Sequence, residues 1–161
     1  MTNYGRILVA GAGSLLMLLG ALGFQFLGGL APCPLCVWQR WPHVVAVALA
    51  LLAVTALWRV HRAIAGLGAF TMVVSFGIAA FHVGVEQQWW TGFEGCAAPD
   101  PGRGSVEDLL ARIEATDPVR CDEIAWKLFG ISMAGWNGLA SLGLAAIWGW
   151  SVRPHLPQPE R

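Results

Sequence analysis

The residues of this chain whose types and spacing could do chemistry are four cysteines: Cys33, Cys36, Cys96 and Cys121. Cys33 and Cys36 form a Cys-x-x-Cys pair in the stretch "APCPLCVWQR", at the end of a long apolar run. A bond between cysteines so close together constrains the unfolded chain very little, so it has small value as a staple. Short Cys-x-x-Cys loops are instead associated with lowered thiol pKa and redox exchange. Cys96 and Cys121 are far apart in sequence and could close a long loop as a purely structural disulfide. A zinc site would want a second close cysteine pair or adjacent histidines, so no metal is expected. A haem reading fails for want of Cys-x-x-Cys-His and of a second well-placed histidine pair. No βαβ pattern surrounds the motif, which excludes a soluble thioredoxin-like domain.

Two further groups stand beside the cysteines. Arg40 follows Cys36 at i,i+4, and if a helix starts near Cys36 the two share a face. A guanidinium and the positive end of a helix dipole both favour a thiolate there. The plainer reading of Arg40 is an arginine snorkelling to an interface. In "FHVGVEQQWW", His82 and Glu86 are also at i,i+4 near the end of an apolar run. Ionisable groups at membrane depth are candidates for function, and a histidine can hydrogen-bond a carbonyl or pass a proton. The plainer reading is a His–Glu pair that satisfies only itself. His43 is a weaker candidate than His82, and His61 and His155 belong to the flanks.

The elements that must position these groups follow from composition. The chain has 161 residues, one domain's worth, of which 56% are apolar and only 12% charged. That is about half the ~25% charged of a soluble domain and points to lipid as the solvent. Four apolar segments, at about 7–30, 41–58, 63–85 and 128–152, each supply the ~17–25 residues a helical span requires. The expected fold is therefore an all-α membrane protein, a four-helix transmembrane bundle. Loops fall at about 31–40 and 86–127, a turn at 59–62 and a proline-rich, disordered tail at 153–161. Pro42 and His43 begin the second span, the shortest of the four. Within the long loop, Ser105 caps a short helix whose Val106, Leu109, Leu110 and Ile113 form an apolar face.

Charge sets the orientation. Arg6, Arg59, Arg62, Arg153 and Arg161 flank the spans on one side, and nine of the ten acidic residues lie between Glu86 and Glu123 on the other. The positive-inside rule places both termini and the 59–62 turn in the cytoplasm and all four cysteines outside. On that side of a bacterial membrane an even number of cysteines implies disulfides. Tryptophans at the span ends, Trp148 among them, fit an aromatic belt, whereas Trp136 is expected inside. Pro32 and the length of the first apolar run argue against a lipoprotein cleavage site at Cys33. The absence of any basic cluster excludes a nucleic-acid partner.

Taken together, "CPLCVWQRWPH", "FHVGVEQQWW", the single Cys96 that follows, and "CDEIAWKLFGISMAGWN" resemble the disulfide bond formation protein B (DsbB) family of bacterial inner-membrane thiol:quinone oxidoreductases. The vitamin K epoxide reductase type also faces a quinone with a Cys-x-x-Cys and loop cysteines. There the loop pair comes first, and here it comes second. The DsbB resemblance implies two redox-active disulfides, Cys33–Cys36 and Cys96–Cys121. It implies that Cys96–Cys121 accepts electrons from a periplasmic, thioredoxin-fold DsbA-like partner through a mixed disulfide at Cys96. Cys121 would then attack Cys33 and release Cys36. Cys36 would pass the electrons to ubiquinone or menaquinone from the membrane pool, with Arg40, His82 and Glu86 at the quinone pocket. The competing class is a non-catalytic, disulfide-stapled membrane adaptor, in which the Cys33–Cys36 pair is dispensable and no quinone binds.

Overall fold

The computed structural model describes residues 2–55, 60–93, 96 and 119–153. Arg59, the short helix expected from Ser105 and the tail beyond Arg153 lie outside the described residues. Four helices dominate: α1 (Asn3–Phe26), α2 (Pro34–Thr55), α3 (His61–Glu86) and α4 (Met133–Ser151). The first three are long and apolar enough to cross a membrane. The 19 residues of α4 correspond to ~28 Å of helix, but Asn137, four glycines and three tryptophans lower its hydropathy.

The second helix starts earlier than the sequence indicates, at Pro34 rather than near 41. Cys33 stands at the N-cap, where its Sγ accepts from the Cys36 N–H at 3.2 Å and its carbonyl accepts from Val37 at 3.1 Å. Pro34 follows at the first helical position, where a missing N–H costs nothing. Residues 34–40 are therefore helix rather than loop, and Pro42 lies inside the helix. The first helix ends at Phe26, short of Leu30, and the chain turns through Gly29 at φ 67°. The fourth begins at Met133 instead of 128, because Lys127–Leu128 (β1) and Ile131–Ser132 (β2) form a small antiparallel hairpin that was not expected. Its two turn residues, Phe129 and Gly130, both have positive φ, as the tightest hairpin turns require. Ser132 then caps α4 by accepting from the Gly135 N–H at 3.1 Å.

The helices pack in a ring, each against its sequence neighbours and α4 against α1. Leucine, valine and phenylalanine cover the outside, with Leu16 and Phe70 both about two-thirds exposed. The interior holds Ser14, Gln39, His43, Ser75, His82, Asn137 and Ser141. Apolar outside and hydrogen-bonded inside is the arrangement that lipid imposes. Ser75 and Ser141 meet at 2.9 Å between α3 and α4. One end of the bundle carries all four cysteines. At the other, Arg6 lies over the Trp150 ring at 4.5 Å and Arg62 donates to the Val152 carbonyl at 3.1 Å.

Close approach is set by small residues. Gly11 faces Ala50 between α1 and α2, and Gly68 lies against the Trp148 indole between α3 and α4. This reverses the expectation for two tryptophans: Trp148 is completely buried, while Trp136 is 37% exposed and donates to the Leu128 carbonyl. Trp148 turns inward because Gly68 leaves a slot for its ring. Gly68→Ala is expected to overpack that slot and cost ~1–3 kcal/mol, read as a lowered midpoint of unfolding in detergent. Gly20→Ala, which meets nothing within 4 Å, should leave the midpoint unchanged.

Candidate functional site

The capped start of α2 builds the first half of the site. Cys33 is buried, and its Sγ donates to Cys36 Sγ at 2.9 Å. Both are free thiols here, where the family resemblance implies a disulfide. The hydrogen bond to Cys36 raises the pKa of Cys33 well above the ordinary thiol value, and burial adds to the effect. Cys33 therefore stays protonated while it is the donor.

The second half comes from the chain after α3. Cys96 and Cys121 form a disulfide. The Cys96 N–H donates to the Phe93 carbonyl at 2.9 Å, and the Cys121 N–H donates to the Cys96 carbonyl at 2.8 Å. Both cysteines are fully buried, in one apolar cluster with Cys33, Leu35 and Val85. Cys33 Sγ, Cys121 Sγ and a ring nitrogen of His82 all lie within 4.8 Å of one another. The trio has the composition of a metal site, but the Cys121 sulfur is already committed to Cys96. What the geometry makes is a continuous line of sulfurs: Cys36, Cys33, Cys121, Cys96.

His82 sits beside this line. Its Nε2 is 3.6 Å from Cys33 Sγ and 3.9 Å from Glu86 Oε1. Its Nδ1 accepts from Gln39 Nε2 at 2.7 Å. Gln39 Oε1 accepts from Asn137 Nδ2 at 2.7 Å, and Asn137 Oδ1 accepts from His43 Nε2 at 2.9 Å. A single buried chain of hydrogen bonds thus runs from α3 through α2 to α4 and back to α2. Because an amide nitrogen only donates and its oxygen only accepts, both histidines carry their proton on Nε2.

The other end of this chain opens on a cavity of about 330 Å³ between α1, α2, the hairpin and α4. Its walls are mainly apolar, with Leu16, Met17, Phe24 and Trp136 among them. Its polar groups are Cys36, Gln39, Arg40, His43 and Asn137. Arg40 donates to Gln25 Oε1 at 2.6 Å and to the Ala21 carbonyl at 3.5 Å, both on α1. These bonds hold the guanidinium on the cavity wall.

The structure therefore brings Cys33, Cys36, Cys96, Cys121 and His82 together, and places Arg40 with Cys36 on the cavity. His82 and Glu86, expected to line or support a quinone pocket, lie beside the sulfurs, and His82 reaches the cavity's lining through Gln39. The Glu86 side chain is 5% exposed, and its Oε2 is buried without a hydrogen-bond partner. Gln39 and Asn137 were missed by sequence reasoning. The signal for them was an amide within an apolar helix, which in lipid implies an interhelical partner.

A lipid-facing helical bundle with a dithiol, a disulfide and an apolar cavity in series defines a membrane thiol–disulfide oxidoreductase. The comparisons with known proteins name the family. Residues 5–151 match the family described as "Disulfide bond formation protein DsbB". Proteins named "Disulfide bond formation protein B" are similar over most of their length. That of Methylococcus capsulatus is 31% identical over 140 residues, covering 81% of this chain and 82% of the relative. That of Dechloromonas aromatica is 32% identical over 151 residues, 84% of each. That of Hahella chejuensis is 30% identical over 154 residues, 86% of this chain and 90% of the relative. No solved structure gives a significant match. The chain belongs to the DsbB family.

Two outcomes follow from the site's hydrogen bonds. Gln39→Leu strands His82 Nδ1 and Asn137 Nδ2, each at a cost of ~1–3 kcal/mol, and should lower stability to chemical denaturation accordingly. On either side of Cys121, Arg120 donates to both oxygens of Asp122, at 2.9 and 2.6 Å. These bonds hold the Asp122 carboxyl below the usual carboxylate range. The pair's contribution is thus present above the ordinary carboxyl pKa and is lost as pH falls through the lowered one. Asp122→Asn should speed reduction of the Cys96–Cys121 disulfide by dithiothreitol at pH 7, by no more than about fivefold for so exposed a pair. The two proteins should converge as the native carboxyl protonates.

Proposed function

We propose that this protein is a thiol:quinone oxidoreductase of the bacterial inner membrane. It reoxidises a periplasmic, thioredoxin-fold dithiol partner and passes the electrons to the quinone pool, making disulfides de novo. The observation that carries the reading is the line of four sulfurs ending at the cavity, with Cys36 and Cys33 at 2.9 Å and Cys33 within 4.8 Å of Cys121. Thiol–disulfide exchange requires an attacking sulfur next to each sulfur attacked, and this line supplies one at every junction.

The steps balance as exchanges. A partner thiolate attacks Cys96 and releases Cys121. Cys121 attacks Cys33 of an oxidised Cys33–Cys36 pair and releases Cys36. The partner's second thiol completes its own disulfide and frees Cys96, which re-forms the bond to Cys121 and releases Cys33. The result is the Cys96–Cys121 disulfide with a Cys33/Cys36 dithiol. Because Cys96 is fully buried, the partner's attack requires local opening around it first. His82 Nε2 faces both Cys33 and Cys121, where it stabilises charge during the central exchange.

The cavity fits a quinone on its own features. Its volume is in the ~300–1,000 Å³ range of small-ligand pockets, its walls suit an isoprenoid tail, and its polar groups gather beside Cys36. Arg40 can donate to ring oxygens, and so can the unpartnered His43 Nδ1 when the ring is an imidazolium. When bound, a quinone supplies a two-electron, two-proton acceptor. Arg40 binds and orients it, and Cys36, on the cavity wall, is the sulfur that faces it.

In this reading α4 is the fourth span, Arg6, Arg62 and Arg153 mark the cytoplasmic end, and the cysteine end is periplasmic. Cys36→Ser should abolish loss of quinone absorbance when a reduced thioredoxin-fold partner is supplied to detergent-purified protein. Cys96→Ser should abolish oxidation of the partner. Arg40→Ala should raise the apparent KM for a soluble ubiquinone analogue by about tenfold, the loss of one charged hydrogen bond, and lysine should restore it only in part. Native-rate quinone reduction by Cys36→Ser would sink the scheme and return the cysteines to a stapling role.

A further inference from the structure

We propose that His43 is a further catalytic residue of the cavity: its Nδ1 meets a ring oxygen of the acceptor and gives it one of the two protons that reduction takes up. The inference rests on the quinone reading above and adds a residue to it. Cys36, Arg40 and His43 follow one another along one face of α2, and all three line the cavity. His43 is 2% exposed. Its Nε2 is committed to Asn137 Oδ1 at 2.9 Å, and its Nδ1 is buried without a partner. A buried ring nitrogen left unpaired is costly. Once protonated, Nδ1 becomes a donor, and an acceptor oxygen of a ligand in the cavity supplies the partner it lacks.

The chain of amides determines how His43 is presented. Asn137 gives its nitrogen to Gln39, so it offers His43 only its oxygen. That oxygen accepts from Nε2–H whether the ring is an imidazolium or neutral. As an imidazolium, His43 donates from Nδ1. After giving that proton it is the Nε2–H tautomer that Asn137 already holds, so nothing has to reorganise. Asn137 is thus a positioning residue. The other titratable groups lining the cavity are Cys36 and Arg40, both on α2, while α1, the hairpin and α4 bring only uncharged side chains.

The step balances. Oxidation of the Cys33/Cys36 dithiol forms one S–S bond and releases two electrons and two protons, and conversion of a quinone to a hydroquinone takes up two of each. His43 delivers one proton to oxygen and regains one from those the thiols release.

The test uses the full chain in detergent with a short-tailed ubiquinone analogue. Trp126 and Trp136 line the cavity, so quenching of tryptophan fluorescence reads binding apart from turnover. His43→Leu should weaken binding by about tenfold and lower kcat by about a hundredfold, the low end for general acid catalysis. His43→Gln preserves a buried polar side chain, and so the fold, but has no proton to give. It should bind within about threefold of the native protein while kcat stays about a hundredfold down. A native kcat in folded His43→Gln would overturn the inference while leaving the quinone reading in place. Failure of the analogue to quench the native protein would overturn both.

Discussion

The amide of Gln39 is the point on which the interior depends. From α2 it donates to His82 on α3 and accepts from Asn137 on α4, both at 2.7 Å. In a bundle whose outer surface is hydrocarbon, no water is at hand to satisfy these groups, so each must find its partner across a helix interface. That requirement specifies the rotation of three helices at once. A small rotation of α2 would leave several buried polar atoms unpaired together. The apolar contacts around them tolerate more slippage, because lipid tails compete for the same surfaces.

With that register in place, α2 serves two purposes. Its first turn holds the dithiol, with Cys33 as the capping residue, so one sulfur terminates the helix and also stands next in line to Cys121. Along its inner face, Arg40 and His43 continue from Cys36 into the cavity. The sulfur path and the cavity thus meet at one residue, Cys36. The Gln39–Asn137 link runs behind it and holds the two histidines, one at the sulfurs and one at the cavity, in matching tautomers.

Where sequence reading and structure part, the causes are local. The second helix was placed from 41 because Arg40 and the Cys-x-x-Cys looked like loop. A cysteine cap, a proline at the first helical position and an α1 glutamine that takes the arginine let the helix begin at Pro34. Trp148 and Trp136 exchanged expected places because tryptophan at a span end reads as an interface anchor. Only the slot at Gly68 shows that one of them turns inward. His82 could be singled out from the sequence, but not its neighbours, since Cys33 and Gln39 come from the start of α2 and Cys121 from within the long loop.

The sequence by itself determined the solvent, the helical class with three apolar spans, the end of the bundle that carries the cysteines and the redox character of Cys33 and Cys36. Each of these follows from composition or from spacing within a single helix, where distances are set by covalent geometry. Tertiary structure decided the rest: that Cys121 lies beside Cys33, that Arg40 turns toward α1, that His82 belongs to the sulfurs and His43 to the cavity, and that Gln39 and Asn137 join them. Those relations hold between residues 15 to 98 positions apart. No local periodicity encodes them. They arise only when four helices settle the register that pairs Gln39 with His82 and Asn137.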